Sequence, residues 1–510
     1  MRHPSVILVN PPNPPGYVSN KDSMGGYGQL YPRGAPPFPP LDIPYLGAFL
    51  IGRGIAVEVI EAGAHDLSPD AACEAIRSAA NGESLVLVRT SLPTVDWDLE
   101  FCGRLRTGGG FGALGLFGPV IPSLLWRVER DRSIDYAILG EPDHVVAELA
   151  EGAALRTIVG LMYRDAAAVA GWKRTSERTF EGDLDALPFP RWDLLPHERY
   201  VIPKSANAGR MRFLPMLTSR GCPYGCSYCP YPVGQGLKWR FRSPMNVVDE
   251  MEHLVRDLGV EYIIFRDPMF SLRQDRVITI CEEVLRRGIA VQWRCETRVD
   301  CLDERTIELM ARAGCTGINF GVESTSPEIQ KGVHRAPILP AEFTEKVALC
   351  KKYDIKTFAF FIVGLPGDTL DTIFDSMRFA VGMRADWTQF TVATPFVGTT
   401  LHDWAVRLGS VSADHYEIIS SHEGSIGNEN LTAPQVHRLH KFAQFLQKNL
   451  INRRGILKNE NRKAAPYRAA KWVADETCHA LAMGLVAAGE AYYRRSIPSA
   501  PPPQSANSPA

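Results

Sequence analysis

The sequence predicts an α/β protein: two parallel-sheet domains in tandem, followed by a helical region. Three observations predict it. Short apolar runs alternate with helical stretches through the first 150 residues, and the same alternation resumes after a cysteine-rich segment near residue 220 and continues to residue 392. Beyond residue 430 only helical periodicity remains. The chain has 510 residues, enough for roughly three domains at about 150 residues each.

In the N-terminal part (residues 1–151), strands are expected at 6–9, 57–60, 85–88, 114–117 and 136–139, with helices near 44–53, 69–80, 96–106, 123–130 and 144–151. Such β-α alternation gives a doubly wound, Rossmann-type sheet, and five strands suggest the flavodoxin-like order. Ligands of these sheets sit beyond the carboxyl ends of the strands. Here those ends carry Asn10, Pro11 and Pro12, then Ser91 to Thr94, Gly118-Pro119, and Gly140-Glu141. The same small residues also suit plain strand-to-helix turns. No G-x-G-x-x-G follows the first strand, so a dinucleotide site has little support. Residues 13–40, rich in Gly, Pro and Tyr, form a connection too long for an ordinary βα loop and read as a lid or binding loop.

Residues 152–205 read as a polar connector. In the segment 206–430, strands are expected at 213–217, 262–265, 291–293, 318–320, 358–363 and 387–392, which makes six β/α units. Val247, Met251, Leu254 and Leu258 mark the buried stripe of one intervening helix. Functional residues of a β/α barrel sit at the carboxyl ends of its strands. That picks out Asp267, Glu296, Arg298, Glu323, residues 364–367 and residues 394–396. Helices at 434–452 and 468–493 should lay apolar faces on the barrel, within a helical region spanning 431–495, and the Pro/Ser/Ala-rich tail 496–510 should be disordered.

Charge narrows the function classes. Lys and Arg total 56 against 57 Asp and Glu, so no broad positive field invites a nucleic acid. The longest apolar stretches fall well short of the ~20 residues that cross a bilayer, and no membrane span is expected. Residues 6–9 are too short for a signal-peptide core. Eleven cysteines, an odd number, argue against a disulfide framework and for a reducing cytoplasm.

The sharpest motif is Cys222-Pro223-Tyr224-Gly225-Cys226-Ser227-Tyr228-Cys229, a C-x3-C-x2-C run directly after an apolar strand. Three clustered thiolates suit an iron-sulfur cluster, and because a four-iron cluster normally takes four cysteines, three leave one iron open to a ligand. The alternative is structural zinc, which wants four ligands, usually in paired C-x2-C units that this chain lacks.

With an aromatic residue, Tyr228, before the third cysteine, the motif resembles the signature of radical S-adenosylmethionine enzymes. The resemblance implies that Cys222, Cys226 and Cys229 hold a 4Fe-4S cluster whose fourth iron chelates S-adenosylmethionine. One-electron reduction would then release a 5′-deoxyadenosyl radical. Six β/α units fit the partial barrel of that family. Gly321-Val322-Glu323-Ser324 resembles its G-V-E-S segment, implying that Glu323 holds the cofactor's ribose or amine. Gly364-Leu365-Pro366-Gly367 resembles its G-L-P-G turn beside the adenine, so Gly364, Pro366 and Gly367 are expected there. Arg335 is placed to fork onto the cofactor carboxylate, or is a surface arginine. Asp267 resembles a strand-two acid motif in which Pro268 replaces the second acid.

A flavodoxin-like domain ahead of such a barrel resembles the cobalamin-dependent branch of the superfamily, over about residues 1–430. The resemblance implies a corrinoid held near Asn10, Pro12, Ser91, Thr94, Gly118, Gly140 and Glu141, although no D-x-H-x-x-G motif supplies an axial histidine. It also implies C-methylation of a small natural-product intermediate, with pyrrole groups of aminocoumarin antibiotics preferred, and an external electron donor such as flavodoxin or ferredoxin. The runner-up is a radical cyclase or oxidative rearrangement enzyme of the same architecture. An RNA methylthiolating enzyme should carry a second N-terminal cluster, for which only Cys73 and Cys102 are present. A corrinoid carrier would not cleave S-adenosylmethionine.

Overall fold

A computed structural model describes residues 3–168, 171–203, 210–417, 426–452 and 465–496. In the N-terminal part, β1 (Ser5–Asn10) is followed by a hairpin of β2 (Tyr17–Asn20) and β3 (Gln29–Pro32). Then come β4 (Ala56–Glu61), β5 (Leu85–Arg89), β6 (Ala113–Phe117), β7 (Tyr136–Ile138), β8 (Leu161–Arg164) and β9 (Trp172–Arg174). The sheet order is β4-β1-β5-β6-β7-β8-β9, and its first five strands are parallel. The flavodoxin-like order is therefore present. Successive side chains of a strand point to opposite faces, and here both faces are apolar. Val6 and Leu8 of β1 join one buried cluster while Ile7 and Val9 join the other. Helices Asp42–Gly52 and Pro142–Glu151 cover the first face, and Pro69–Ala79 and Val95–Gly108 cover the second.

One expectation is corrected. Residues 152–205 are not a bare connector, because β8 and β9 extend the sheet antiparallel to β7 and to each other. Strands of four and three residues carry too little alternation to be read from sequence.

The second sheet is built from β10 (Val201–Pro203), β11 (Arg210–Met216), β14 (Tyr262–Phe265), β15 (Gln292–Thr297), β16 (Cys315–Glu323), β17 (Lys356–Val363) and β18 (Trp387–Val392), in that order. A two-stranded ribbon of β12 (Ser219–Arg220) and β13 (Arg240–Phe241) lies beside it. The six main strands are parallel, with β10 antiparallel on the edge. This is the expected partial barrel. Its helices follow the predicted stripes: Ser243 caps Pro244–Arg256, whose Val247, Met251 and Leu254 are buried. β15 and β16 run further than the apolar pattern suggested, because their inner faces carry polar residues.

β18 is the last strand, and its outer edge would leave backbone groups unpaired. The helix Ala433–Leu446 and the π-helical turn Gln447–Ile451 cover it. Gln447 accepts from the Phe390 N–H at 2.8 Å, and Asn452 accepts from the Thr388 N–H at 2.8 Å while donating to its carbonyl at 2.9 Å. The last helix, Ala465–Ser496, buries Ala482 and Val486 and sets Tyr493 against Phe374, with ring centres 6.1 Å apart. Its other side leaves Leu481 and Tyr492 exposed. No helix of the described residues is long and apolar enough to cross a membrane. The tail expected to be disordered lies, from residue 497, outside the described residues.

Candidate active site

A cavity of about 560 Å³ occupies the inner face of the barrel, closed on one side by residues of the β2–β3 hairpin and its flanks. Alternate residues of β15 and β16 line it, Arg294 and Glu296 on one strand and Asn319, Gly321 and Glu323 on the next, with Arg298 just past the end of β15. Phe358 and Phe360 of β17 and Trp387 of β18 form an aromatic wall.

Cys222, Cys226 and Cys229 all open onto this chamber. Their loop leaves β12 through Gly221 at φ +81°, where a Cβ would collide with the Lys238 carbonyl. Backbone bonds then fix the loop: Cys222 N–H to the Gly236 carbonyl at 3.1 Å, Ser227 N–H to Val333 at 2.9 Å and Cys229 N–H to Cys226 at 3.0 Å. Burial, reinforced by Cys226, pushes the Cys229 thiol well above its usual range. Such a thiol ionises only beside strong positive charge, which a metal supplies. Among the described residues no group of three His, Cys, Asp or Glu converges as chelation of a single ion requires. Three thiols on one loop suit a cuboidal cluster, in which each thiolate bonds a different iron.

Beside the cysteines, Glu323 ends β16 with φ +67°, a left-handed conformation that non-glycine residues rarely adopt. The register with β17 slips between Gly321 and Glu323, and the carboxylate turns back over Gly321, where a Cβ would collide with its Oε1. Burial raises the Glu323 carboxyl above its usual range, opposed by Arg335 and Tyr228. Arg335 donates to the Gly321 carbonyl and, at 3.3 Å, to the Tyr228 hydroxyl, while its Nε is buried without a partner. It is therefore not a surface arginine. Arg298 donates to both Asp300 oxygens at 3.0 and 2.8 Å and to the Ala336 carbonyl at 3.0 Å, and its guanidinium lies 4.4 Å from the Tyr224 ring centre. Its Nη1 is also buried and unpartnered. A carboxylate acceptor and two spare guanidinium donors beside three thiols can receive the ammonium and carboxylate of an amino acid.

Other expected site residues lie elsewhere. Asp267 does not line the chamber: fully buried, it accepts from the Thr218 N–H at 2.7 Å, from the Thr218 hydroxyl at 2.5 Å and from the Ser219 hydroxyl at 2.6 Å, and so braces the loop ahead of the cysteines. Gly364, Pro366 and Gly367 also miss it. Their turn is pinned by Asp368, which accepts from the Gly364 and Leu365 N–H groups at 3.0 Å, and Gly364 packs on Val436.

A second cavity, about 100 Å³, lies between the strand ends of the N-terminal sheet and the barrel. Gly118, Gly140 and Glu141 line it, and Glu141 pairs with Arg220 at 3.0 Å and Arg240 at 2.9 Å across the domain boundary. Asn10 and Pro12 line neither cavity. Asn10 donates to buried Glu61, and the Pro12 carbonyl accepts from Trp97 at 2.8 Å. Ser91 and Thr94 are buried under the hairpin, where Gly28 packs directly on Ser91. Asp22, Tyr231 and Arg266 line both cavities and stand between them. Sequence reasoning missed this trio and Arg294. For Arg294 the signal was present, since Arg294, Glu296 and Arg298 alternate along one extended segment.

Residues 216–380 match the family model described as the Radical SAM superfamily, a stretch that holds the three cysteines, Glu323 and Arg335. The barrel segment is thus similar to the radical SAM superfamily. Over 310 residues it is 29% identical to an uncharacterized methyltransferase of Pyrococcus horikoshii, covering 60% of this chain and 65% of that protein. Over 311 residues it is 29% identical to the anaerobic magnesium-protoporphyrin IX monomethyl ester cyclase of Cereibacter sphaeroides, covering 58% and 48%. The chain thus matches less than two thirds of the length of either relative. The fold is similar to that of the radical S-adenosylmethionine methyltransferase TsrM from Kitasatospora setae, solved with cobalamin and a 4Fe-4S cluster. The TM-score is 0.64 at 22% identity, over 81% of this chain and 79% of that one. At 81% of the chain, that likeness reaches into both parallel-sheet domains.

Proposed function

We propose that this chain is a cobalamin-dependent radical S-adenosylmethionine methyltransferase acting on a carbon of a small molecule. One observation carries the reading: three thiols, Glu323, Arg335 and Arg298 open onto a single chamber, next to a doubly wound sheet whose strand ends face it. Cys222, Cys226 and Cys229 would hold the cluster, leaving one iron for the cofactor. When bound, the reduced cluster supplies one electron to the sulfonium of S-adenosylmethionine. Glu323 accepts from the cofactor's ammonium, and Arg335 Nε and Arg298 Nη1 donate to its carboxylate. Tyr224 and Asp300 hold the Arg298 plane in place. Residues 22–24 of the hairpin shield the chamber from water.

A corrinoid would sit at the strand ends, where the cavity is about 100 Å³ against about 560 Å³ for the barrel chamber. Residues 25–28 fill the remaining space, with Gly25 on Tyr231, Gly26 on Pro119 and Gly28 on Ser91. Support for a corrinoid comes from the shared fold and from cobalamin in the TsrM structure. The finer substrate assignment is a natural-product intermediate, a pyrrole of an aminocoumarin antibiotic being the first to try. Flavodoxin or ferredoxin would donate the electron in a reducing cytoplasm.

The test is to purify the chain anaerobically with cobalamin, reconstitute the cluster, and follow S-adenosylhomocysteine and 5′-deoxyadenosine together by mass spectrometry. Both products, with a substrate gain of one methylene, are expected. 5′-Deoxyadenosine with substrate altered but not methylated would favour cyclisation, the reaction named for the Cereibacter relative. Neither product would end the reading.

A further inference from the structure

The chamber has a second cationic end. Arg294, on β15, lies four residues before Arg298, about 13 Å deeper into the barrel at about 3.3 Å per residue of extended chain. It makes no hydrogen bond or ion pair with any described residue, and its Nε is buried without a partner. Arg266, also on the wall, donates only to the Asp22 carbonyl, at 3.3 Å. Glu296 accepts from Asn319 at 3.3 Å, and with Asp22 it acts on Arg266 through its charge, but neither carboxylate forms an ion pair with Arg294 or Arg266. Burial raises the Tyr31 hydroxyl pKa, both arginines lower it and Glu296 raises it further, so two cations and one acid surround that point.

Two guanidinium groups without an ion pair on the wall of a cavity, only one of them offset by the charges of Glu296 and Asp22, leave room for an anion to satisfy them. Across the chamber stand Phe358, Phe360 and Trp387, with Trp387 paired in register to Phe358. The residue opposite Arg294 on β16 is Gly317. A Cβ there would come within 3.3 Å of Phe358 and 3.5 Å of Arg294, so the glycine keeps the space between them open.

We propose that the substrate is an aromatic acid whose anionic group is held by Arg294 and Arg266 and whose ring lies against Phe358 and Trp387. This rests on the functional reading above and names its substrate class. Carboxylate and phosphate share the required chemistry, and the experiment separates them.

Isothermal titration of the full-length, cluster-loaded chain with indole-2-carboxylate, its neutral carboxamide and phenyl phosphate tests the proposal. The carboxylate should bind at least tenfold more tightly than the carboxamide. Arg294→Met should erase that preference, and Arg294→Lys should restore part of it. Tighter binding of phenyl phosphate would identify the anion as a phosphate. Iron content checks that the variants fold. If Arg294→Met carries less iron than the parent, Gly317→Leu, which fills the space beside the guanidinium, should lose the same preference. Equal binding of acid and amide, no binding of either acid, or a preference that survives these substitutions would overturn the proposal. If S-adenosylmethionine is cleaved by a chain that shows no such preference, the functional reading stands without this one. Acid binding without any cleavage would be the reverse.

Discussion

Glu323 holds its position through Gly321. The left-handed backbone at Glu323 folds its carboxylate over the glycine, and Arg335 grips the Gly321 carbonyl. Gly321→Ala would push a methyl group into that carboxylate and displace it from its place over the glycine. The expected result is at least about a tenfold loss of S-adenosylmethionine affinity, about 1.4 kcal/mol, with iron content unchanged. Equilibrium dialysis with labelled cofactor measures it. An affinity within twofold of the parent would show that the carboxylate does not touch the cofactor. The sequence made Glu323 and the cysteines legible because their motifs fix both residue type and spacing. Asp267 misled because an acid at a strand end looks the same whether it faces a cavity or braces a loop, and only the hydroxyls of Thr218 and Ser219 decide which.

Among the elements, the β2–β3 hairpin and the turn between its strands do the most for so short a segment. Lys21, fully buried, ties it to the N-terminal sheet through the Arg89 carbonyl at 2.9 Å, Thr94 at 3.1 Å and Asp98 at 2.6 Å. Burial lowers the lysine and raises the aspartate, each opposed by the other's charge. Lys21→Met leaves Asp98 buried without its cation, held by the Thr94 hydroxyl at 2.6 Å, and losing one partner of a buried pair costs about 3–5 kcal/mol. Urea unfolding should show a loss of that size. The double variant Lys21→Met, Asp98→Leu should regain much of it, because an apolar pair of similar volume is often neutral. A single-variant loss below about 1 kcal/mol would mean that the lysine does not anchor the hairpin. The sequence marked residues 13–40 as an unusual connection, but its path over Ser91 and Pro119 depends on contacts with residues far along the chain, which local pattern does not encode. The short strands β8 and β9 escaped for the opposite reason: their pattern is local but too brief.

Across the whole molecule, two parallel sheets turn their strand ends toward one boundary, and the Glu141 pairs with Arg220 and Arg240 bridge it. That architecture was legible because apolar periodicity survives over six β/α units. The division of the interior into two cavities was not, because it rests on Asp22, Tyr231 and Arg266 meeting from distant elements. The account stands or falls on one claim: Cys222, Cys226 and Cys229 carry a cluster with an iron left open to S-adenosylmethionine. The direct measurement is low-temperature electron paramagnetic resonance of the anaerobically reconstituted and reduced chain, before and after addition of S-adenosylmethionine. The account predicts a 4Fe-4S signal that changes shape when the cofactor is added and is absent from the Cys226→Ala variant. A signal that the cofactor leaves untouched, or one that survives loss of Cys226, would contradict it.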